Sequence, residues 1–210
     1  TLSSILINSG KKAKDESSAP EPSPSYSNYS QLKVGNYWVY QQFEVDTNGI
    51  ATALPKLDSC FVEKDSMING LTYYKLVKPK PFTTNQKEVF FERDSLHYLV
   101  SLGGPILFSS QDFSSIFSTS YIKFGPGDTV CRIEQQMADK NQVVSTPAGN
   151  FSSLNFKEKY SFYPSWQMNG AIRNKNTRYA ENIGIVVETL PFFTSNPKST
   201  ERRLLRYHLN

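Results

Sequence analysis

Two histidines and two cysteines are all the imidazole and thiolate ligands that a chain of 210 residues offers to a metal. His97 and His208 have no second His or Cys at ligand spacing. A zinc site needs three or four converging donors, so both read as ordinary sheet histidines, and no metal or cofactor is expected. The sequence also lacks a G-x-S-x-G elbow for a nucleophilic serine, a glycine-rich phosphate loop and the Asp-rich loop of an EF-hand. No apolar run approaches the roughly 20 residues that span a bilayer. Charge of one sign is missing too: 23 basic and 19 acidic residues are interleaved, for a net charge of +4. The one dense basic run, Arg202, Arg203 and Arg206, reads as a solvated face, and no nucleic-acid partner is expected.

What the chain does have is aromatic residues and turns. It carries 14 Phe and 12 Tyr, side chains that favour strands. Asn48-Gly49, Asn69-Gly70 and Asn169-Gly170 each lie between β-prone runs and read as hairpin reversals. Gly103-Gly104 and the stretch 138–141 read as two more. The strands expected are 36–46, 57–67, 71–79, 87–93, 96–102, 105–109, 128–137, 141–146, 151–162, 171–180, 183–190 and 200–209. Alternation in the first puts Val39, Phe43 and Val45 on one face, taken as the core face, and Trp38 and Tyr40 on the other. Residues 183–190 are apolar on both faces, which suits a central strand. One helix is expected over 111–120, where Asp112 could cap and Phe113, Ile116 and Phe117 have helical spacing. The fold class is therefore all-β and mainly antiparallel, with at most one or two short helices. A single curved sheet or half-barrel is favoured because hairpins make sequential strands neighbours, with a two-sheet sandwich as the alternative.

The N-terminal part reads differently. Residues 1–10 resemble the end of a signal-peptide apolar region, with Leu2, Ile5, Leu6 and Ile7, so a longer precursor is expected. Residues 11–31 are rich in Pro, Ser and charge and read as a flexible tether. Residues 32–210 are expected to form a single antiparallel β domain.

Three segments carry a resemblance. They are Val34-Gly35-Asn36-Tyr37-Trp38-Val39-Tyr40, Thr146-Pro147-Ala148-Gly149-Asn150-Phe151, and Arg178-Tyr179-Ala180-Glu181-Asn182-Ile183-Gly184-Ile185-Val186. Together they resemble a group of exported lipoproteins of Bacteroidetes-type Gram-negative bacteria. The resemblance implies export to the periplasm or cell surface and membrane attachment only through an N-terminal lipid anchor. Gly10 stands where the lipidated cysteine of such a protein would be, so this chain cannot be acylated there. No catalytic residue comes with the resemblance.

Few residues stand out as candidates for chemistry. Cys60 and Cys131 could pair as a disulfide in an exported chain or pack as two buried thiols. Trp38, Tyr40 and Trp166 could face a ligand, although large aromatics are more often core. Glu88, Glu92, Glu134 and Glu158 are candidates for paired catalytic carboxylates, with solvated strand faces as the plainer reading. Asp65-Ser66-Met67, Asp94-Ser95-Leu96 and Asp128-Thr129-Val130 match a bacterial O-glycosylation triplet but also match turn chemistry. The function expected is a non-enzymatic envelope module for binding or assembly, its partner a hydrophobic ligand, a glycan or an envelope protein. The alternative is a hydrolase of envelope polymers using two carboxylates.

Overall fold

A computed structural model describes residues 25–83, 86–190 and 199–210, and the signal-like segment and most of the tether lie outside them. The described residues form thirteen strands. They are β1 (Tyr37–Val45), β2 (Ala51–Ile68), β3 (Leu71–Pro79), β4 (Lys87–Ser95), β5 (Tyr98–Ser101), β6 (Ile106–Ser109) and β7 (Ile116–Gly125), followed by β8 (Asp128–Met137), β9 (Gln142–Thr146), β10 (Gly149–Phe162), β11 (Ile172–Ala180), β12 (Gly184–Thr189) and β13 (Ser199–His208). Among the described residues one 3-10 turn, over Pro164–Asn169, interrupts them.

All thirteen belong to one antiparallel sheet, ordered β6-β5-β4-β3-β2-β1-β13-β12-β11-β10-β8-β7, with β9 also on β10. Successive hairpins climb from β1 to β6, and β13 brings the C-terminus back beside β1. The sheet curls until β6 lies against β8 and β10, where the Ser109 N–H donates to Met137 Sδ at 3.3 Å. The result is the expected curved sheet, nearly closed as a barrel, rather than a sandwich. β12 has neighbours on both sides and is buried on both faces, which its apolar run foretold.

Local chemistry explains where strands begin and end. Asn69 and Gly70 both take positive φ, 51° and 77°, as a type I′ turn between β2 and β3 demands. At Asn48-Gly49 only the glycine does, and Asp46 builds the turn instead, accepting from the Asn48 and Ile50 N–H groups at 2.9 and 2.8 Å. β2 starts at Ala51, well before the expected residue 57. Pro55 lies in an irregularity of the β1 pairing between Ala53 and Leu57, and β3 does not reach that far, so its missing N–H costs no ladder bond.

The helix expected over 111–120 is absent. Asp112 does cap, accepting from the Ser114 and Ser115 N–H groups at 3.1 and 3.0 Å, but the capped turn leads into β7. Serines, threonines and aromatics there prefer the ladder with β8 to a helix whose polar face they would fill.

Residues 25–31 carry no helix or strand, yet they pack on the domain. Asn182 N–H donates to Asn28 O at 2.7 Å, the Ser30 hydroxyl donates to Asp94 at 2.8 Å, and the Tyr29 ring lies 5.2 Å from that of Phe108. These residues bridge the β4–β6 side of the sheet to the turn before β12.

Candidate functional site

The concave face of the sheet changes character along the barrel axis. At one end the inward positions are apolar: Trp38, Val62, Leu76, Leu154, Val186 and Leu204 form the main cluster. One or two inward steps along the same strands, the side chains turn polar: Gln42 on β1, Asp58 on β2, Lys78 on β3, Glu158 on β10, Glu188 on β12 and Arg202 on β13. Alternation makes this happen, because a strand that presents Leu204 inward must also present Arg202 inward. Register then sets the neighbours: Arg202 lies opposite Gln42 and Glu188, and Glu158 opposite Lys175.

Trp38 and Tyr40 sit where these halves meet. The facing expected for β1 is reversed. Trp38, Tyr40 and Gln42 point into the barrel, whereas Phe43 points outward beneath the Arg203 guanidinium, 5.1 Å from the ring centroid. Alternation tells which residues share a face but not which face is concave, and here the larger rings fill the inside. Trp38 is 4% exposed. The residues that cover it come from the β11–β12 hairpin. Its Nε1–H donates to Ile183 O at 2.7 Å, and the Tyr40 hydroxyl donates to Ile185 O at 3.0 Å. A Cβ at Gly184 would stand 3.2 Å from the indole nitrogen, so only glycine lets the ring lie flat there.

The first and third motif segments therefore meet in space, and the second reaches β13, the neighbour of both β1 and β12. Trp38 from the first packs on Gly184 from the third, and Ala148 N–H of the second donates to Leu204 O of β13 at 3.0 Å. Asn36 is fully buried and ties the ends of the domain, with its amide donating to Gln31 O and its Oδ1 accepting from Asn210 N–H, both at 2.8 Å.

Beyond the tryptophan a cavity of about 420 Å³ opens between the two halves of the sheet. Phe90, Phe156, Tyr179, Ile185 and Leu190 supply its apolar surface, and Lys78, Glu88, Glu92, Glu158, Lys175, Glu188 and Arg202 its charges. A smaller recess of about 30 Å³ leads from it toward Trp38, Tyr40 and Leu99.

Most charges in the cavity stand beside an opposite charge. Lys175 Nζ bonds Glu158 at 2.6 Å. Lys78 Nζ stands 3.6 Å from Glu92, while Arg202 Nε is 3.5 Å from Glu188 and 3.6 Å from Asp58, which also accepts from Gln42 at 2.7 Å. Burial pushes the Glu188 carboxyl up, but Arg202, Lys78 and Lys175 outweigh it and hold the group below its usual range. Burial pulls the Lys78 ammonium down, and Glu92 and Glu188 more than restore it. Lys78 and Glu188 are thereby held in their charged forms. The arrangement can hydrogen-bond a bound molecule from several sides.

Of the four carboxylates singled out, Glu88, Glu92 and Glu158 line this cavity. Glu134 does not, and pairs with Arg132 on its own strand at 3.1 Å. Trp166 lies elsewhere, its Nε1–H donating to Asp128 at 2.9 Å and its ring 5.6 Å from that of Phe124. Cys60 and Cys131 are both buried free thiols in separate clusters, on strands far apart in the sheet. Burial pushes the Cys60 thiol up to about 11. His97 bonds the Ser109 hydroxyl at 2.9 Å, and His208 bonds Asn210 at 3.2 Å. Among the described residues no group of His, Cys, Asp and Glu side chains could hold a metal. Sequence reasoning missed Lys78, Lys175, Tyr179, Glu188 and Arg202. The available signal was a charged residue in phase with an apolar inward series, such as Lys78 after Tyr74 and Leu76.

Comparison with known proteins adds the fold. No protein-family model matches the chain, and no curated protein does. A solved structure from Bacteroides fragilis, described as an exported protein with a YmcC-like fold, matches with a TM-score of 0.50 at 13% identity, over 87% of this chain and 100% of that one. A structure from Parabacteroides distasonis, described as a lipoprotein, matches with a TM-score of 0.45 at 14% identity, over 88% of this chain and 100% of that one. At such identity, the first of these shows that the chain shares a fold with the Bacteroides fragilis protein.

Proposed function

We propose that this chain is a non-enzymatic cell-envelope protein that holds a ligand inside its curved sheet, at the periplasmic or outer surface of a Gram-negative bacterium. The signal-like residues 1–10, the Pro/Ser-rich stretch after them and the exported fold neighbour support the location. The observation that carries binding is the cavity of about 420 Å³ with convergent charged groups over aromatic walls. Small-molecule sites commonly span about 300–1,000 Å³ with this mixture of surfaces.

Hydrolysis is the second reading, favoured by Glu88, Glu92 and Glu158 lining one cavity. A glycosidase needs one carboxyl raised to act as an acid. Here the cations around Glu188 hold that carboxyl low, the opposite of what an acid needs.

Native mass spectrometry of the protein drawn from its own envelope tests the binding reading. The wild type should carry an added mass, and Ser101→Trp, which puts a large ring in the cavity lining, should not. Equal loading of both proteins would defeat it. Release of sugars from envelope polymer, abolished by Glu92→Gln or Glu158→Gln, would replace it with the hydrolase.

A further inference from the structure

We propose that the cavity takes a neutral, hydroxyl-rich ligand, a short saccharide, gripped by Lys78, Glu92, Tyr179, Glu188 and Arg202. This deepens the binding reading above and rests on it.

The argument begins with bonds these side chains do not make. Lys78, Glu92 and Glu188 stand at ion-pair distance from their partners, 3.5–3.6 Å, yet none of the three side chains makes a hydrogen bond among the described residues. Arg202 Nε is buried without a hydrogen-bond partner, and the only side-chain hydrogen bond of Arg202 among the described residues is Nη1 to Cys60 Sγ at 3.8 Å. Tyr179 is 5% exposed and lines both the cavity and the recess, and its hydroxyl has no partner among the described residues. Left this way Arg202 Nε carries a cost, and the other groups, open to the cavity, are free to bond a molecule that enters it.

The geometry selects the chemistry of that something. A hydroxyl both donates and accepts. Its oxygen can stand about 2.7 Å from a carboxylate oxygen and from an ammonium nitrogen at once. The 3.6 Å gap between Lys78 and Glu92 and the 3.5 Å gap between Arg202 and Glu188 each admit such an apex without moving either ion. Two gaps and the Tyr179 hydroxyl make a set of positions suited to several hydroxyls on one small frame. Phe90, Phe156 and Tyr179 present rings to the same space, on which the C–H face of a sugar can lie.

Other ligand classes fit less well. A fatty acyl chain would cover these ions without bonding them, at a marked desolvation cost for each. The apolar end that would suit it is packed, with only about 30 Å³ of recess. An anion would meet Glu92, Glu158 and Glu188, and a cation would meet Lys78, Lys175 and Arg202. A zwitterion would have to part the existing ion pairs.

Ligand-observed NMR on the whole chain tests this with four probe classes: neutral hexose and N-acetylhexosamine disaccharides, glycine, putrescine and octanoate. A disaccharide should bind, and the other three should not. Tyr179→Phe should weaken that binding about tenfold, as for loss of one hydrogen bond, with an unchanged melting temperature. Should Tyr179→Phe fold poorly, Glu188→Gln is the second variant and should weaken binding similarly. Binding of glycine, putrescine or octanoate in place of the disaccharides would overturn the ligand class and leave the binding function standing. Disaccharide binding indifferent to both variants would overturn the assignment to this cavity. No response from any probe, with no added mass on the native protein, would overturn both readings.

Discussion

Replacing Trp38 tests how the motif segments hold the barrel together. The ring is almost wholly buried, lies against Gly184 and donates a 2.7 Å hydrogen bond to Ile183 O. Trp38→Ala should cost about 3–5 kcal/mol from lost burial and the void left behind. Gly184→Ala attacks the same contact from the other side. Its φ of +100° is strained for any side chain, worth about 1–3 kcal/mol, and its new methyl would meet the rigid indole at 3.2 Å. The two changes must therefore couple. Once Trp38 is replaced by alanine, the methyl introduced at position 184 has room and only the backbone strain remains. The double variant should then be more stable than the sum of the singles by at least ~1 kcal/mol. Urea unfolding of the four proteins measures this. A Trp38→Ala melt that overlays the wild type, or strict additivity, would show that the ring does not pack as described.

Three further outcomes are expected of the interior charges and thiols. Arg202→Ala should destabilise the domain by about 3–5 kcal/mol in urea unfolding, because Asp58 and Glu188 would then share a buried site with no guanidinium between them. Glu188 is held below its ordinary value of 4.5, so its contribution is present above that pH and lost as pH falls through the lowered value; Glu188→Gln should flatten this part of the acid limb of stability against pH. Cys60 and Cys131 should resist iodoacetamide at neutral pH in the folded protein and both react in denaturant, read by intact mass; a pair of sulfurs still unreacted in urea would refute free thiols.

The strands were legible in the sequence because turns and alternation are local. Asn69-Gly70 and the Leu154-Phe156 series needed no knowledge of the rest of the chain. β7 was not legible, since Phe113, Ile116 and Phe117 have a spacing that a helix and a strand after a capped turn can both present. The inward direction of β1 was not legible either. Val39 and Val45 are buried on the outer face beside Trp38 and Tyr40 on the inner one, so hydrophobicity alone does not orient the strand. The cavity depends on curvature and on register between strands distant in sequence, such as Gln42, Glu188 and Arg202. Glu88, Glu92 and Glu158 could be named in advance as carboxylates, but their sharing of one space could not. The run Arg202-Arg203 shows the same limit: alternation sends the first into the barrel and the second outward over Phe43.

The central claim is that the curved sheet encloses a ligand space bounded by Lys78, Glu92, Glu188 and Arg202, ions whose hydrogen bonds a bound molecule completes. X-ray diffraction from crystals of the domain tests it most directly. The account predicts the strand order β6 to β7 as described, with density for a bound molecule, beyond ordered water, bridging Lys78 to Glu92 and Arg202 to Glu188 and reaching the Tyr179 hydroxyl. A collapsed interior in which those side chains bond one another directly and no space remains between Phe90 and Phe156 would contradict it.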